Sequence, residues 1–408
     1  MRPSPIARHV RAILSGITGA TACIASTMAV AQEEPPVLEE VIVRGQPIFF
    51  RATDASSAAR FDLAIADTPQ SISVLTEDFM RTANVQSLDD AAKFVPGLSA
   101  LGPNGWGEPR SGFVIRGVNL SLSNGFKLDN YSFLFQGIMD MVGLERLEVV
   151  KGPAAVSYGQ ASYGGLINLI SKKPLREQYS TIDVSYGSFD TYSVKTDITG
   201  PLTEDGRLRF RAGVGYRDEG SFRDGEGMKV LTAVPTLAFD ITDSTELSAM
   251  GYFQDASMVA GGALPVFEDA SGRLILPNDN LLPQSTFAGN SEENGSDNDI
   301  RSIVLKLRQQ INETTQLNVV ATYSSARLEV RTAYSEPFQP TSLDPSSPEY
   351  GLIGSYAQVL LDDNEYSNAE VSLQKDFEAF SQEHTVFVLG GPNRQKRWLV
   401  LPEPAMLR

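Results

Sequence analysis

Cysteine is nearly absent from this chain: Cys23 is the single one in 408 residues. It lies in an N-terminal apolar stretch, so the body of the chain has no disulfide framework and no thiolate chemistry. Histidine is almost as scarce, with His9 and His384 alone. No nucleophile stands beside a paired base and no metal-ligand cluster is spaced along the chain. Neither an enzyme nor a metal site is expected, and no cofactor is called for. Positive charge is short as well: 34 Lys and Arg against 50 Asp and Glu leave a net charge of −16. Without a basic patch, nucleic acid drops out as a partner. Long unbroken apolar runs are also missing. The one candidate, residues 12–30, is interrupted by Ser15, Gly16, Thr18, Gly19 and Thr21, and is less apolar than a spanning helix requires.

What is present begins with Arg2, Arg8 and Arg11 ahead of that stretch, which closes on Ala29-Val30-Ala31. This is the layout of a secretory signal peptide over residues 1–31, with a mature chain starting near Gln32. Ala20-Thr21-Ala22-Cys23 is a poor lipoprotein box, so lipidation is not expected. Residues 32–59 form a tail rich in Glu and Pro near its start. Within it Val41-Ile42-Val43 is a β-branched run suited to adding a strand to another protein's sheet edge.

Residues 60–175 alternate short apolar runs with Gly and Pro turns: Ser71 to Leu75, Gly112 to Gly117, Leu147 to Val150 and Leu166 to Ile170. Between the first two, apolar positions from Phe79 to Phe94 suit two short helices ended by Pro96-Gly97. The unit is α+β. Gly159 to Gly165 superficially suggests a phosphate loop, but no Lys-Ser/Thr follows, so nucleotide binding is not expected.

From Gln178 onward the period changes to two. Thr181 to Tyr186, Leu208 to Arg217 and Leu317 to Tyr323 each set apolar residues on one face and polar ones on the other. A soluble antiparallel sheet with one wet face and a transmembrane barrel both read this way. Tyr186, Phe189, Tyr192, Tyr216 and Phe222 near strand ends suit the aromatic girdles of a barrel. Residues 261–298 and 337–354 read as long loops, including Asp297-Asn298-Asp299, taken as solvated loop rather than a cation site.

Several ordered motifs carry a resemblance. Leu38-Glu39-Glu40-Val41-Ile42-Val43-Arg44-Gly45 resembles the TonB box. Asp67 to Val74, Phe94-Val95-Pro96-Gly97-Leu98, Phe113 to Gly117, Leu144 to Pro153 and Gly164 to Pro174 resemble, nearly end to end, the plug domain of TonB-dependent siderophore receptors. Asp129-Asn130 stands where the family usually has Asp-Gly. The resemblance implies an α+β plug followed by a transmembrane antiparallel β-barrel in the outer membrane of a gram-negative bacterium. It also implies TonB-dependent uptake of a ferric siderophore, with a TonB-type energy-coupling protein gripping Glu40, Val41, Ile42 and Val43. Haem import would often want histidine ligands and is less favoured.

The resemblance further implies that Arg116, Glu145, Arg146 and Lys151 make plug–barrel contacts, pairing within the plug being the other reading. Trp106, Arg110, Phe126, Tyr131 and Phe133, on segments expected to face outward, suit contact with a bulky chelate; packing in the plug core is the alternative. About eight or nine strands are legible between Gln178 and Leu389, against about 22 for a plugged transporter. Residues 176–390 are therefore expected to be the N-terminal part of an incomplete barrel. Residues 391–408, where Gly390 to Trp398 breaks the alternation, are expected to be an anomalous tail left by truncation. A fragment that only binds ligand or TonB is the alternative function.

Overall fold

The computed structural model describes residues 50–101, 112–120, 125–134, 137–152, 158, 162–259, 267–268, 274–275, 285, 294–340, 353–379, 382–400 and 405–407. The first domain is α+β, as its punctuation predicts. Its main sheet contains β1 (Ser71–Thr76), β5 (Phe126–Leu128), β6 (Tyr131–Ser132), β7 (Leu144–Lys151) and β8 (Gly165–Ser171), in the order β1-β7-β8-β5-β6. β7 and β8 are antiparallel, whereas β8 and β5 are parallel. All seven residues of β8 are buried, as befits a strand covered on both faces. A smaller sheet joins β2 (Leu98–Ala100), β3 (Phe113–Ile115) and β4 (Val118–Asn119).

Two short helices follow β1. Helix α1 (Glu77–Thr82) starts where the Thr76 hydroxyl accepts the Phe79 N–H, and Glu77 and Asp78 oppose the helix dipole. Helix α2 (Leu88–Ala92) opens with a capping box between Ser87 and Asp90. Its inner face, Leu88, Ala91 and Ala92, is buried.

The second part is one long antiparallel sheet, 11-stranded by hydrogen bonding. Its strands are β9 (Tyr179–Tyr186), β10 (Tyr192–Pro201), β11 (Leu208–Gly220), β12 (Gly227–Thr242), β13 (Thr245–Val259), β14 (Gly295–Asn312), β15 (Thr315–Pro340) and β16 (Ile353–Ala379), followed by β17 (Gln382–Gly390), β18 (Asn393–Val400) and β19 (Ala405–Leu407). The last three all pair antiparallel with β16: β17 and β18 share one register, from Gln382 opposite Ala379 to Val400 opposite Leu361, and β19 follows shifted by one residue, with Leu407 opposite Ser355. They form a single interrupted lane, so the wall has nine lanes, in agreement with the strand count expected from the alternation. Within the segment expected to be an anomalous tail, 393–400 is strand. Asp297, Asn298 and Asp299 lie likewise in β14 rather than in a loop.

Among the described residues the first and last lanes do not pair, so the sheet is open. No helix among them is long and apolar enough to cross a membrane; any crossing is by strands. Which face meets which medium follows from side-chain placement. One face carries a register row of Phe239, Leu247, Leu307, Val319 and Val371, each opposite the next. Ile182 and Val184 on this face are each 71% exposed. The other face buries Thr232, Thr236, Gln254, Ser302, Thr322 and Ser324. Large exposed apolar residues in a continuous belt would be costly against water, and they suit lipid.

The connections at the two ends differ. At one end β10/β11, β12/β13, β14/β15 and β16/β17 join through residues 202–207, 243–244, 313–314 and 380–381. At the other, residues 260–294 and 341–352 separate strands. Short turns on the periplasmic side and longer loops outside are the habit of outer-membrane barrels. The first domain packs on the polar face. Its core and the inward residues Val234, Met250, Tyr252, Ile300, Val304 and Val320 form one apolar cluster.

Candidate functional site at the domain–wall interface

Polar tethers surround that shared apolar core, and the chain sets them where inward strand positions are charged. Asp197 of β10 receives Nε and Nη2 of Arg211 at 2.9 and 2.6 Å, a fork from the adjacent strand. Lys172, just past β8, reaches the same carboxylate at 2.7 Å and Glu77 of α1 at 2.7 Å. This one ammonium thus joins helix, domain sheet and wall. Gln254 of β13 accepts the Asp140 N–H at 2.9 Å and donates to the Ile138 carbonyl. The Tyr252 hydroxyl donates to the Asp140 carbonyl at 3.2 Å.

At the turn end, Arg60 is held with φ at 70°, in the left-handed region. Its Nη2 donates to both carboxylate oxygens of Glu370 on β16, at 2.7 and 2.9 Å. The guanidinium also lies 5.5 Å from the Tyr131 ring and 5.3 Å from that of Tyr158. Beside it Glu148 is fully buried. It accepts the N–H groups of Ser56 and Ser57 at 3.0 and 2.8 Å, the Ser57 hydroxyl, and Nε of Arg146 at 2.6 Å. A buried carboxylate needs that many donors. The segment 54–60 is consequently stitched to the first domain by Glu148 and to the wall by Glu370.

Lys127 completes the group, 2% exposed, donating to the Ser132 hydroxyl at 3.0 Å. Burial, reinforced by the Arg60 charge, pulls its ammonium from the ordinary 10.5 down to about 8. Burial also pushes the Tyr131 phenol well above its usual value.

Cavities flank the interface, and two of them matter here. One, of about 510 Å³, opens at the turn end between Arg60, Arg146, Lys172, Arg209 and Lys306. The other, of about 840 Å³, sits at the long-loop end between residues 94–100 of the first domain and Arg217, Glu219, Met228 and Met258 of the wall.

The residues expected from sequence are distributed unevenly over this geometry. Trp106, Arg110, Glu40, Val41, Ile42 and Val43 lie outside the described residues. Phe126 is 1% exposed and meets Phe113 edge-on at 5.7 Å; Phe133 is equally buried against Tyr252 of the wall, also at 5.7 Å. Tyr131 is buried beneath Arg60. The expectation that these aromatics face outward is corrected: each ring removes more apolar surface from water by packing than display on a loop would allow.

The four plug–barrel candidates also need correcting. Arg146 pairs with Glu148, Glu145 and Asp62 at 2.6, 3.1 and 3.4 Å, all inside the first domain. Lys151 donates to Ser73, and Arg116 is exposed. Internal pairing, the other reading, is what the geometry shows. The wall is instead held by Arg60, Asp140 and Lys172, none of them singled out for contact in the sequence. Polar residues on the lumenal register of alternating strands, Asp197, Arg211 and Gln254 among them, were the signal that could have found their partners.

Comparison with known proteins places this arrangement. Residues 64–166 match the family model described as TonB-dependent Receptor Plug Domain. That stretch is the first domain, docked on the polar face of an antiparallel wall. The first domain is a TonB-dependent receptor plug domain.

The chain is 28% identical to the metal-pseudopaline receptor CntO of Pseudomonas aeruginosa over 317 residues, 75% of the chain and 43% of that relative. It is 27% identical to the ferrichrome outer membrane transporter/phage receptor of Escherichia coli over 357 residues, 82% of the chain and 46% of that relative. In fold it resembles the crystal structure of the ferripyoverdine receptor of the outer membrane of Pseudomonas aeruginosa, with a TM-score of 0.73 at 24% identity, covering 84% of this chain and 44% of that one. The chain thus spans less than half the length of these relatives. The first domain is the plug, and the wall is the corresponding portion of the barrel.

Proposed function

We propose that this chain acts in TonB-dependent uptake of a ferric siderophore across the outer membrane. The chelate arrives from the long-loop side, and a TonB-type partner draws on residues 38–45. The observation that supports this most directly is the stitching of segment 54–60. The segment enters at the turn end, where it holds Glu148 of the plug and Glu370 of the wall through short hydrogen bonds. Tension on the chain ahead of residue 54 would therefore act first on contacts that keep the plug seated. The named relatives include receptors and transporters for iron and other metal chelates, which favours the same reading.

The outer membrane is its place, and lipid is the medium for the belt of Phe239, Leu247, Val319 and Val371. The test is radioactive iron uptake by iron-starved cells dependent on this chain. Deleting Glu40, Val41, Ile42 and Val43 is expected to abolish uptake while leaving chelate binding at the surface. Uptake that persists without those four residues would sink the energy-coupled reading; binding without uptake in the unaltered chain would support a receptor that only binds.

A further inference from the structure

The cavity at the long-loop end contains a donor that the rest of the fold leaves unused. Arg217 lies on β11, faces the plug and has a side chain 3% exposed. Its Nη1 donates to Glu219 at 2.9 Å, and the Asp140 carboxylate lies 3.7 Å from Nε. Nε and Nη2 have no hydrogen-bond acceptor among the described residues. Buried guanidinium N–H groups without acceptors are unfavourable, and an incoming oxygen that accepts from them removes that cost. The position is also the right one: Glu219, Met228 and Met258 form the inward row directly above, opposite one another in register, at the rim where the long connections leave the wall.

The surrounding charges limit what such an oxygen can belong to. Facing the cavity or Arg217 itself are four acids, Asp89, Asp90, Asp140 and Glu219, and three bases, Lys93, Lys195 and Arg217. The balance is one negative charge, in a chain already at −16. A polyanion would approach against this field, while an uncharged or cationic ligand would not. Phe94, Pro96, Ile138, Met228 and Met258 supply an apolar lining, with the methionines able to adapt to an irregular shape. The volume, about 840 Å³, falls in the range of small-molecule sites, roughly 300–1,000 Å³.

We infer that this cavity selects an uncharged or cationic ferric chelate displaying carbonyl or hydroxamate oxygens, and that Arg217 is the residue that reads those oxygens. The inference rests on the uptake reading above and adds the chemical class of the cargo. Three hydroxamates cancel the charge of ferric iron, whereas three catecholates leave a trianion. The two kinds of chelate therefore separate the alternatives.

The experiment is equilibrium binding of radioactive iron, carried either by a neutral trihydroxamate or by a tris-catecholate, to outer membranes bearing the full chain and to membranes lacking it. The trihydroxamate is expected to bind at least about tenfold more tightly. Arg217→Lys retains the charge but loses the planar fork, and is expected to weaken trihydroxamate binding about tenfold. Glu219→Gln, which leaves Arg217 in place, is expected to narrow the gap between the two chelates. Tighter binding of the tris-catecholate, or unchanged trihydroxamate binding in Arg217→Lys, overturns the inference and leaves the uptake reading standing. Binding of neither chelate above the blank membranes overturns the uptake reading and the inference with it.

Discussion

Arg60 and Glu370 stand 310 residues apart and meet through a single nitrogen, Nη2, that bridges both oxygens of the carboxylate at 2.7 and 2.9 Å. The two side chains are 6% and 10% exposed, so the pair is one of the few places where the chain ahead of the plug is bonded directly to the wall. Removing one partner of a buried pair costs about 3–5 kcal/mol, because the other charge is left without compensation. Glu370→Gln is expected to lower the unfolding temperature and to open segment 54–60 to trypsin at Arg60. Limited digestion of the full chain in membranes reads this. Equal cleavage rates for Glu370→Gln and the unaltered protein would show that the pair does not hold the segment.

Lys127 gives a pH dependence with a definite sign. Its folded pKa, about 8, lies below the ordinary 10.5, so the native state gives up the proton before the unfolded chain does. Below about pH 8 both states are charged and the full burial penalty is present. Between about 8 and 10.5 the unfolded state binds more protons, and stability rises with pH across that window before levelling. The rise from this residue amounts to roughly 3 kcal/mol. Denaturant midpoints of the full chain in detergent, taken from pH 7 to 11, are expected to climb, and Lys127→Met is expected to flatten the climb and to stabilise the protein at neutral pH. A midpoint that falls through this window in the unaltered protein, yet does not fall in Lys127→Met, would contradict the sign.

At Gly143 the plug backbone comes close to a wall side chain. With φ at 74°, a Cβ at this position would lie 2.7 Å from Cβ of Val234. Gly143→Ala is therefore expected to cost about 1–2 kcal/mol for the left-handed backbone and about 1–3 kcal/mol for overpacking. Val234→Ala in the same chain removes the two γ-methyl contacts at 2.9 Å but keeps the Cβ, so it relieves part of the second contribution and leaves the first. Partial rescue in the double variant, measured against each single one, confirms direct contact across the interface. Strict additivity would place the strain elsewhere.

How much of this was legible in the sequence depends on how far each residue's role is local. The nine lanes of the wall were readable because inward and outward positions alternate over long strands, as from Leu317 to Tyr323. The two short helices were legible in the same way, from apolar positions between Phe79 and Phe94 and the Pro96-Gly97 stop. Phe126 misled because β5 has only three residues, all buried, and Phe133 because it lies just past the two-residue β6; neither stretch has an alternation to show which way a ring points. Residues 393–400 misled for the opposite reason: their strand is imposed by β16, 27 residues long, which offers an unpaired edge as template. Arg60 and Glu370 were out of reach because nothing in either neighbourhood announces a partner 310 residues away.

The belt on the outer face supports a final prediction, because the same substitution has different costs in different media. Val319 sits mid-row between Leu307 and Val371, 38% exposed, on the face that shows Phe239 and Leu247. In lipid, Val319→Arg places a charge near the middle of the apolar band and is expected to cost about 2–4 kcal/mol. Ile311→Arg, 55% exposed near the end of β14 close to the turn at 313–314, is expected to cost about 0–1 kcal/mol because the side chain reaches the interface. In water the two positions would differ little, since an exposed arginine on a strand is tolerated at either. Folding into lipid vesicles, followed by urea titration of both variants beside the unaltered chain, separates the cases. A large difference requires that the row from Phe239 to Val371 face hydrocarbon; indistinguishable midpoints would mean that the outer face is wet, and the transmembrane assignment of the wall would fall.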